Sequence, residues 1–389
     1  MSNDYVIRRL ESARDVDAFA WDALLDTQAY RTPFMRHSYL HALESSGSAC
    51  TRTGWTANFF LLERAGDLHG ACVVYAKVHS YGEYVFDWAW ANAYQTHGLD
   101  YYPKAVIAVP FTPVPGTRLL AADGASRQLL LNGVLQWCQG ASMSSLHLLF
   151  TAPEDVDAGL ACGLMPRHTV QFHWSNAAAG HHDFEHFLAS LSQEKRKKIR
   201  QERKKVASSG VTFQTLAHHE ISSADWDFFY RCYQTTYREH GSSPYLTRDF
   251  FTQMAQDLPE HWVMFVARRN DRPIACSLIA TGTEGEQGDK IAYGRYWGAL
   301  ERVDCLHFEA CYYQPIAWCI SNGYHRFEGG AQGEHKMARA LMPIKTTSMH
   351  WLAHPAFANA VSQFLDQEDN GIENYLDDLR ARSPFKNEV

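Results

Sequence analysis

The chain has 389 residues, of which 46% are hydrophobic and 20% are charged, and its formal net charge is −7. This composition excludes a disordered chain, and the length predicts two domains rather than one. The negative net charge argues against a general nucleic-acid binder, which needs net or clustered positive charge.

Nine cysteines are spread along the chain, an odd number without a C-x-x-C pair. Free thiols in a reducing compartment are the simplest interpretation. The sequence has no apolar segment long enough to span a bilayer, and its first residues are charged where a signal peptide is apolar. We therefore expect a cytoplasmic protein without a membrane span.

Segments of the N-terminal half reappear in the same order in the C-terminal half. Amphipathic helices are predicted after Pro33 and Pro244, and hairpins with polar turns at residues 60–75 and 264–279. Helices that end near residues 140 and 322 each lead to a short strand. Three ordered matches predict a duplication, with an α/β fold in which each half is a mixed, mostly antiparallel sheet flanked by helices.

In the first half, YVFDWAW (residues 84–90) alternates and predicts a strand whose aromatic side chains face the core. Asp87 would then lie on the small-residue face, where a buried carboxylate needs a partner. Asp87 is therefore a candidate to orient an amine acceptor, and the alternative is a purely structural strand. Neighbouring residues extend the predicted acceptor pocket: His79, Tyr81, Glu83 and Trp88.

A basic segment separates the halves. An apolar stripe predicts a helix over residues 183–210, and eight of the twelve residues 195–206 are Lys or Arg. This charge density predicts anion binding, with a solvated helix face as the alternative. The candidate residues are Lys195, Arg196, Lys197, Lys198 and Arg200. The predicted organisation is a first domain (1–182), this connecting helix (183–210), a second domain (211–355) and a C-terminal helix with an acidic tail (356–389).

The pattern H-x-x-E-H at residues 182–186 is formally that of a zinc peptidase. It places no third ligand, and chance matches are expected in a chain with twenty histidines. We therefore predict no metal site.

In the second half, a glycine-rich stretch precedes Glu334, His335 and Lys336. An amine that attacks an acyl carbonyl must lose a proton, which a carboxylate or imidazole can accept, and the developing oxyanion needs a donor. The backbone of the stretch is a candidate donor, through Gly329, Gly330, Gln332 and Gly333. The alternative is a turn followed by a short solvated helix. A dinucleotide-binding loop is disfavoured because too little chain follows it.

Arg295 and Tyr296 lie in the predicted strand YGRYWG, and Glu309 and Gln314 lie near a following helix start. Arginine is the natural bidentate partner of a carboxylate or phosphate, so these residues are candidates for substrate binding. The alternative is a structural ion pair between Arg295 and Glu309.

Three stretches carry a family resemblance: LASLSQEKRKKIRQERKKVASSGVTF (188–213), VHSYGEYVFDWAWANAYQTHGLDYYPK (78–104) and FEGGAQGEHKMARALMP (327–343). They resemble the FemAB-like N-acyltransferases, in particular a bacterial subgroup. The resemblance implies two tandem GNAT-type halves and the transfer of an acyl or aminoacyl group. It also implies cell-wall precursors as possible acceptors.

The chain departs from ordinary GNAT enzymes at their glycine-rich pyrophosphate loop, which binds coenzyme A. That place reads GALERVDCLHFEA, and only Gly116 and Arg118 of the first half offer a remnant. The donor is therefore left open between acyl-coenzyme A and aminoacyl-tRNA.

The function we expect is direct acyl transfer to an amine, without a covalent enzyme intermediate. Glu334 or His335 would accept the proton, and Lys336 and Arg295 would hold anionic groups. Asp87 would orient the acceptor, either a small molecule or a cell-wall precursor. The alternative is a non-catalytic binder of peptidoglycan precursors or tRNA on the same fold. The sequence does not determine the oligomeric state.

Overall fold

A computed structural model describes residues 5–176, 180–285, 287–331 and 333–386. The chain forms two compact units, the first from Met1–Thr169 and Lys345–Asn374 and the second from Val170–Ile344 and Tyr375–Val389. Within those described ranges, no helix has both the length and the apolar character needed to cross a membrane.

The first unit contains a sheet in which most neighbouring strands are antiparallel. Its strands are β1 (Tyr5–Leu10), β2 (Trp55–Arg64), β3 (Asp67–Lys77), β4 (Lys104–Ile107), β5 (Leu120–Ala121) and β6 (Ser145–Leu148). Strand β4 pairs in parallel with β6, and residues 349–352 pair with the other edge of β6. The helices are α1 (Ala18–Asp26), α2 (His37–Ser45), α3 (Trp88–Thr96), α4 (Gly124–Gly140) and α5 (Pro153–Ala161).

The strands of the second unit lie in the order β7-β12-β11-β10-β9-β8. They are β7 (Met165–Ser175), β8 (Val211–Ala217), β9 (Trp262–Arg269), β10 (Arg272–Glu284), β11 (Asp289–Ala299) and β12 (Arg326–Ala331), and β13 (Met342–Leu352) leads back to the first unit. The helices are α6 (Phe184–Ser190), α7 (Gln193–Ser208), α8 (Ser223–Glu239), α9 (Arg248–Asp257), α10 (Leu306–Phe308) and α11 (Gln314–Ser321). The last helix, α12 (Pro355–Ala381), begins in the first unit and ends in the second.

Shorter helical turns complete both units. A π-helical turn, Glu309–Tyr313, joins α10 to α11, and a 3-10 helix, Glu334–Arg339, joins β12 to β13. Other 3-10 turns are Ala13–Asp15, Pro33–Met35, Thr51–Thr53, His218–Glu220 and Pro259–His261.

Each unit buries its own core against its sheet. In the first unit, Leu131 and Val134 of α4 pack in one cluster with Val74 and Leu146 of the sheet. In the second, the corresponding cluster contains Trp174, Phe265 and Ile316. Because each unit has its own core, the protein is built from two separately packed α/β halves.

The predicted fold class is confirmed, and the two predicted hairpins are present. Strand β2 pairs antiparallel with β3, and β9 with β10. The turn residues have positive φ in both hairpins: Ala65 and Gly66 in the first, Asn270 and Asp271 in the second. Two consecutive residues with positive φ give the turn a twist that matches the flanking strands.

The predicted strand at residues 84–90 is wrong. Residues up to Asp87 lie in a loop, and α3 begins at Trp88. Tyr84, Phe86 and Trp88 are exposed, whereas Val85 and Asp87 are buried. The alternation is real, but the buried side includes the Asp87 carboxylate, which has a buried ammonium partner, Lys104.

The basic segment is two helices rather than one, since α6 ends at Ser190 and α7 begins at Gln193. Both helices belong to the second unit. The chain enters that unit within β7 and leaves it within β13.

Two neighbouring strands of the second unit separate along their length. Strands β11 and β12 pair in parallel only where residues 291–293 meet 326–328. On its other side, β11 bulges against β10, where Leu278 faces Tyr296 and Ile279 faces Gly294, so Arg295 is the extra residue. The separation and the bulge leave an opening at the centre of the sheet.

Close packing of α8 on β11 makes Gly298 a test of this arrangement. A Cβ atom at Gly298 would lie 2.1 Å from the Cys232 carbonyl oxygen. We expect Gly298→Ala to lower the free energy of unfolding by about 1–3 kcal/mol through overpacking. Gly371→Ala in α12 is the control, because that Cβ meets no atom within 4 Å. Thermal unfolding checks this, and equal midpoints for the two variants would contradict the packing.

Candidate functional site

The opening between β11 and β12 contains a cavity of about 160 Å³ in the second unit. Three strands, the helical segment after β11 and the 3-10 helix Glu334–Arg339 contribute to its wall. The lining residues are Ser277, Leu278, Ile279, Gly294, Arg295, Tyr296, Trp297, His307, Cys311, Tyr312, Phe327, Gly329 and Lys336. We call this cavity the cleft.

Lys336 places an ammonium group in the cleft wall. Its Nζ donates to the carbonyl oxygens of Gly329 at 2.6 Å and Gly330 at 3.2 Å. Burial lowers the pKa of Lys336 to about 8. The side chain is therefore mostly a cation at neutral pH and lies close to neutralisation.

Two of the glycines before Lys336 have structural contacts, and the predicted donation by the backbone N–H groups of this stretch stays a prediction. Gly329 and Gly330 belong to strand β12, and their carbonyl groups accept hydrogen bonds from Lys336. A Cβ atom at Gly329 would lie 2.3 Å from Leu341 Cδ2 and 2.9 Å from the Phe172 carbonyl oxygen. Gly329 is thus required by close packing, and the donor beside the cleft is an ammonium group.

Two imidazoles lie beside the cleft. His307 packs edge-on against Trp297 and Tyr312, and its burial, with the charge of His335 next, lowers its pKa to about 4. His335 Nε2 lies 3.4 Å from the Tyr312 hydroxyl, and its pKa is lowered by partial burial and then by the charges of Arg339 and Lys336. Both imidazoles are therefore mostly neutral at pH 7 and can accept a proton.

Glu334 has a different environment from its two neighbours. Its carboxylate accepts a hydrogen bond from the Tyr375 hydroxyl at 2.9 Å and pairs with Arg382 at 3.0 Å. Neither partner lines the cleft. These contacts fix the start of the 3-10 helix against the C-terminal helix, α12.

The predicted substrate-binding residues divide between two places in the second unit. Arg295 and Tyr296 line the cleft. Glu309 is held instead by Arg203 at 3.2 Å and by Gln314 at 2.8 Å. Glu309 and Gln314 line a second cavity of about 510 Å³, the basic groove, with Arg200, Arg203 and Lys204 of α7.

Helix α7 turns a narrow stripe inward and its cations outward. Ile199, Glu202 and Val206 are buried. Lys195 pairs with Glu194, and Arg200 pairs with Glu185. No acidic side chain within the described ranges forms an ion pair with the remaining cations: Arg196, Lys197, Lys198, Lys204 and Lys205. The helix therefore keeps an excess of positive charge beside the basic groove.

Asp87 belongs to a buried polar network in the first unit. The Lys104 ammonium donates to Ser80 at 2.7 Å, to Glu83 at 2.8 Å and to Asp87. Asp87 also accepts a hydrogen bond from Tyr101 at 2.6 Å. The network holds the loop before α3, and Asp87 itself is only 3% exposed.

Burial and charge act differently on the members of this network. Burial opposes ionisation of Asp87, but the charge of Lys104, together with the other charges and hydrogen bonds around this carboxylate, outweighs it, so its pKa is below its usual range. Burial raises the pKa of Glu83 to about 7 and lowers that of Lys77 to about 7. Burial, assisted by Lys104, lowers the pKa of His147 to about 3. Asp87 is thus the firmly ionised partner of Lys104.

The remaining predicted residues of the acceptor pocket lie around this loop. His79 contacts the Thr53 carbonyl oxygen at 3.0 Å. Tyr81 and Trp88 are exposed, and their rings pack edge to face at 5.3 Å. Their role in binding an acceptor stays a prediction.

Gly116 and Arg118 lie in the packed interior of the first unit. Arg118 is 1% exposed and donates to the carbonyl oxygens of Leu149 and Val114. A Cβ atom at Gly116 would lie 3.0 Å from the Tyr30 carbonyl oxygen. Both residues therefore have structural contacts, and the predicted binding of an anion by them stays a prediction. Gln332 lies outside the described residues.

The zinc-like pattern brings two histidine rings together, with centroids of His182 and His186 4.3 Å apart. Glu185 between them pairs with Arg200. Across the part of the chain that the structure describes, no group of three His, Cys, Asp or Glu side chains is arranged to hold a metal ion.

Some residues of these sites carried no clear sequence signal. His307 precedes Glu309 without a pattern of its own, and Lys104 ends the resemblance stretch 78–104 without a pattern that marks it as a buried cation. The π-helical turn that contributes Cys311 and Tyr312 to the cleft breaks helical periodicity. The available signal for Lys104 was indirect: a buried Asp87 carboxylate needs a cationic partner nearby.

Comparison with known proteins gives a match over nearly the whole chain. The family described as FemAB-like, peptidoglycan biosynthesis/recognition, matches residues 12–387. No curated protein matches the chain. The predicted resemblance is thereby confirmed.

Solved structures with the same fold are known. That of FemX has a TM-score of 0.53 at 10% identity, covering 91% of this chain and 100% of FemX. The C-terminal domain of a putative lysylphosphatidylglycerol synthetase from Agrobacterium fabrum has a TM-score of 0.53 at 9% identity, with 92% and 97% covered. L-PGS from Bacillus licheniformis has a TM-score of 0.53 at 11% identity, with 90% and 97% covered. At these identities the similarity concerns the fold.

The buried network of the first unit predicts a large stability effect. Lys104→Met would leave the carboxylates of Glu83 and Asp87 buried without their shared cation, so we expect a loss of about 3–5 kcal/mol. Lys345→Met in the same unit is the control, because it removes only the exposed pair with Glu373 and costs about 1 kcal/mol or less. Urea unfolding measures both, and similar midpoints would show that Lys104 does not hold the network.

Proposed function

Since the chain belongs to the FemAB-like family, we propose that it is an N-acyltransferase, which moves an acyl or aminoacyl group from an activated donor to an amine. Family membership supports the transferase role. The single observation that carries the proposal is the cleft. There β11 and β12 separate beside the buried Lys336 ammonium and the neutral imidazole of His335.

The chemistry follows from the charge that develops during transfer. The acceptor nitrogen attacks the donor carbonyl carbon, a C–N bond forms, and the carbonyl oxygen gains negative charge. The Lys336 ammonium stabilises that oxyanion in a poorly hydrated site, where a fixed charge acts most strongly. The C–S or C–O bond to the donor then breaks, and the leaving sulfur or oxygen takes up a proton.

The proton of the attacking amine is assigned to His335. Its imidazole is mostly neutral at pH 7 and neighbours Lys336 in the chain. The Glu334 carboxylate is occupied by Tyr375 and Arg382, which favours a structural role. Arg295 and Tyr296, on the bulged strand β11, are proposed to bind polar groups of a substrate in the cleft.

The donor we favour is aminoacyl-tRNA, with acyl-coenzyme A as the alternative. In the β11–α10 connection, where GNAT enzymes bind pyrophosphate, Glu301 pairs with Arg269 at 3.1 Å and with Arg272. The Glu301 carboxylate is thereby neutralised, and what this place lacks for a pyrophosphate is the glycine-rich loop. The exposed cations of α7 instead offer a surface for a longer polyanion.

The acceptor we propose is an amine of a peptidoglycan precursor, in keeping with the description of the family. A second candidate function is a binder of such precursors without chemistry. The buried Lys336 ammonium in the cleft wall and the neutral imidazole of the adjacent His335 favour the enzyme, because a binder has no need of a proton acceptor there.

Donor identity is tested by titrating the protein with bulk aminoacyl-tRNA, coenzyme A and acetyl-coenzyme A in a calorimeter at several salt concentrations. We expect aminoacyl-tRNA to bind with steep salt dependence and the double variant Lys197→Glu/Lys198→Glu to bind it at least about 10-fold more weakly. Lys290→Glu, an exposed charge reversal on β11, is the control. Saturable binding of acetyl-coenzyme A that both variants retain would instead indicate acyl-coenzyme A as the donor.

The role of Lys336 is tested once a donor and acceptor are found. Lys336→Met should lower kcat about 100-fold or more, because it removes the donor to the oxyanion. Activity that needs the ammonium should fall as the pH rises through about 8, where Lys336 loses its proton. Lys290→Met is the matched control, and Glu334→Gln should retain most activity. Full turnover by Lys336→Met would exclude the proposed mechanism.

A further inference from the structure

One buried ion pair connects the basic helix to the wall of the cleft. Arg339 ends the 3-10 helix that carries His335 and Lys336, and Glu202 lies on the inward stripe of α7. We propose that Arg339 is a positioning residue, held by Glu202, that fixes His335 and Lys336 at the cleft. The catalytic consequence rests on the proposed function, whereas the positioning itself does not.

Arg339 makes three kinds of contact with one guanidinium group. Its Nη2 donates to both carboxylate oxygens of Glu202, at 2.9 and 3.0 Å. Its Nη1 donates to the His335 carbonyl oxygen at 2.7 Å. The group also stacks over the Phe308 ring, with its central carbon 3.5 Å from the ring centroid. Arg339 therefore ties the 3-10 helix to α7 and to α10 at once.

Glu202 is an unusual residue for its helix. It is 8% exposed on a helix whose other charged side chains are mostly cations facing solvent. Besides Arg339, it accepts a hydrogen bond from the Tyr313 hydroxyl in the π-helical turn. The carboxylate thus joins α7 to two of the segments that surround the cleft.

Stability alone is a weak reason for such a pair. A buried ion pair contributes little compared with well-packed apolar residues, because both charges lose their hydration. The pair does fix the orientation of neighbouring groups, since a planar guanidinium binds and stacks on its neighbours in one geometry. Here the neighbours are the backbone of His335 and the ring of Phe308, which packs 6.1 Å from the His335 ring.

The position of Glu202 along α7 adds a connection to the basic surface. Lys198 and Lys205 precede and follow Glu202 by one turn of the same helix. An anion bound by these exposed cations therefore acts on the helix that holds Arg339.

The test removes each charge of the pair in turn and measures the pKa of His335, which should shift in opposite directions. We would follow the His335 ring signals by NMR as the pH changes, assigning them with His335→Gln. Glu202→Gln removes the charge that neutralises Arg339, so the pKa of His335 should fall by about 0.5 unit. Arg339→Gln removes a cation that already lowers this pKa, so the pKa should rise by about the same amount.

The control is Glu194→Gln, the same change on the same helix at an exposed residue that pairs with Lys195. It should leave the titration of His335 unchanged. Near-UV circular dichroism confirms that each variant is folded. Shifts in the same direction for Glu202→Gln and Arg339→Gln, or no shift in either, would overturn the proposal.

A second measurement applies if Glu202→Gln does not fold. Arg339→Lys keeps the positive charge but cannot bind Glu202 and His335 together while stacking on Phe308. The Lys336 amine should then become several-fold more reactive toward acetic anhydride, with exposed Lys290 as the internal reference in each sample. An unchanged ratio of the two labelling rates would contradict positioning by Arg339.

These measurements need no substrate, so they separate the two proposals. Opposite shifts of His335 in a protein that transfers no acyl group would support the positioning role and reject the proposed function. Acyl transfer by a protein in which neither variant shifts the pKa of His335 would support the proposed function and reject the positioning role.

Discussion

The separation of β11 from β12 is the constraint on which the proposed site depends. Hydrogen bonding between the two strands ends after residues 293 and 328, and the next residues of both strands turn their groups to the cleft instead. Strand β12 also shifts its register against β7 between Glu328 and Ala331, so backbone carbonyls at this point need other donors, because a buried polar group without a partner is costly. Lys336 supplies them at Gly329 and Gly330. The need to satisfy the backbone and the presence of a cation at the cleft are therefore one structural feature.

The two units handle buried charge differently. In the first, two lysines and two carboxylates lie together and compensate one another around the loop before α3. In the second, the buried pair of Glu202 and Arg339 links two segments, α7 and the 3-10 helix beside the cleft. The first arrangement stabilises one loop, whereas the second orders the walls of a cavity. This difference supports placing the chemistry in the second unit.

Local patterns predicted most of the fold, because hairpins and amphipathic helices are encoded over short distances. The turns at residues 65–66 and 270–271 and the helices that precede β6 and β12 were identifiable from spacing alone. The segment around Asp87 misled for a physical reason: its alternation is set by a charge partner 17 residues away, Lys104, and not by a hydrophobic face. For the candidate site, residue type identified Lys336 and His335. Arg339 and Glu202 are 137 residues apart, a contact that no local pattern encodes.

The discontinuous composition of the units bears on how the protein is made. The first unit includes Lys345–Asn374, and one strand beside β6 is formed by residues 349–352. A ribosome must therefore synthesise almost all of the second unit before the first can be completed. Until then β6 has an unpaired edge of the kind that pairs with other chains. In domain-by-domain folding from the N-terminus, the usual route for long chains, the first unit would therefore stay incomplete until residues 349–352 are synthesised.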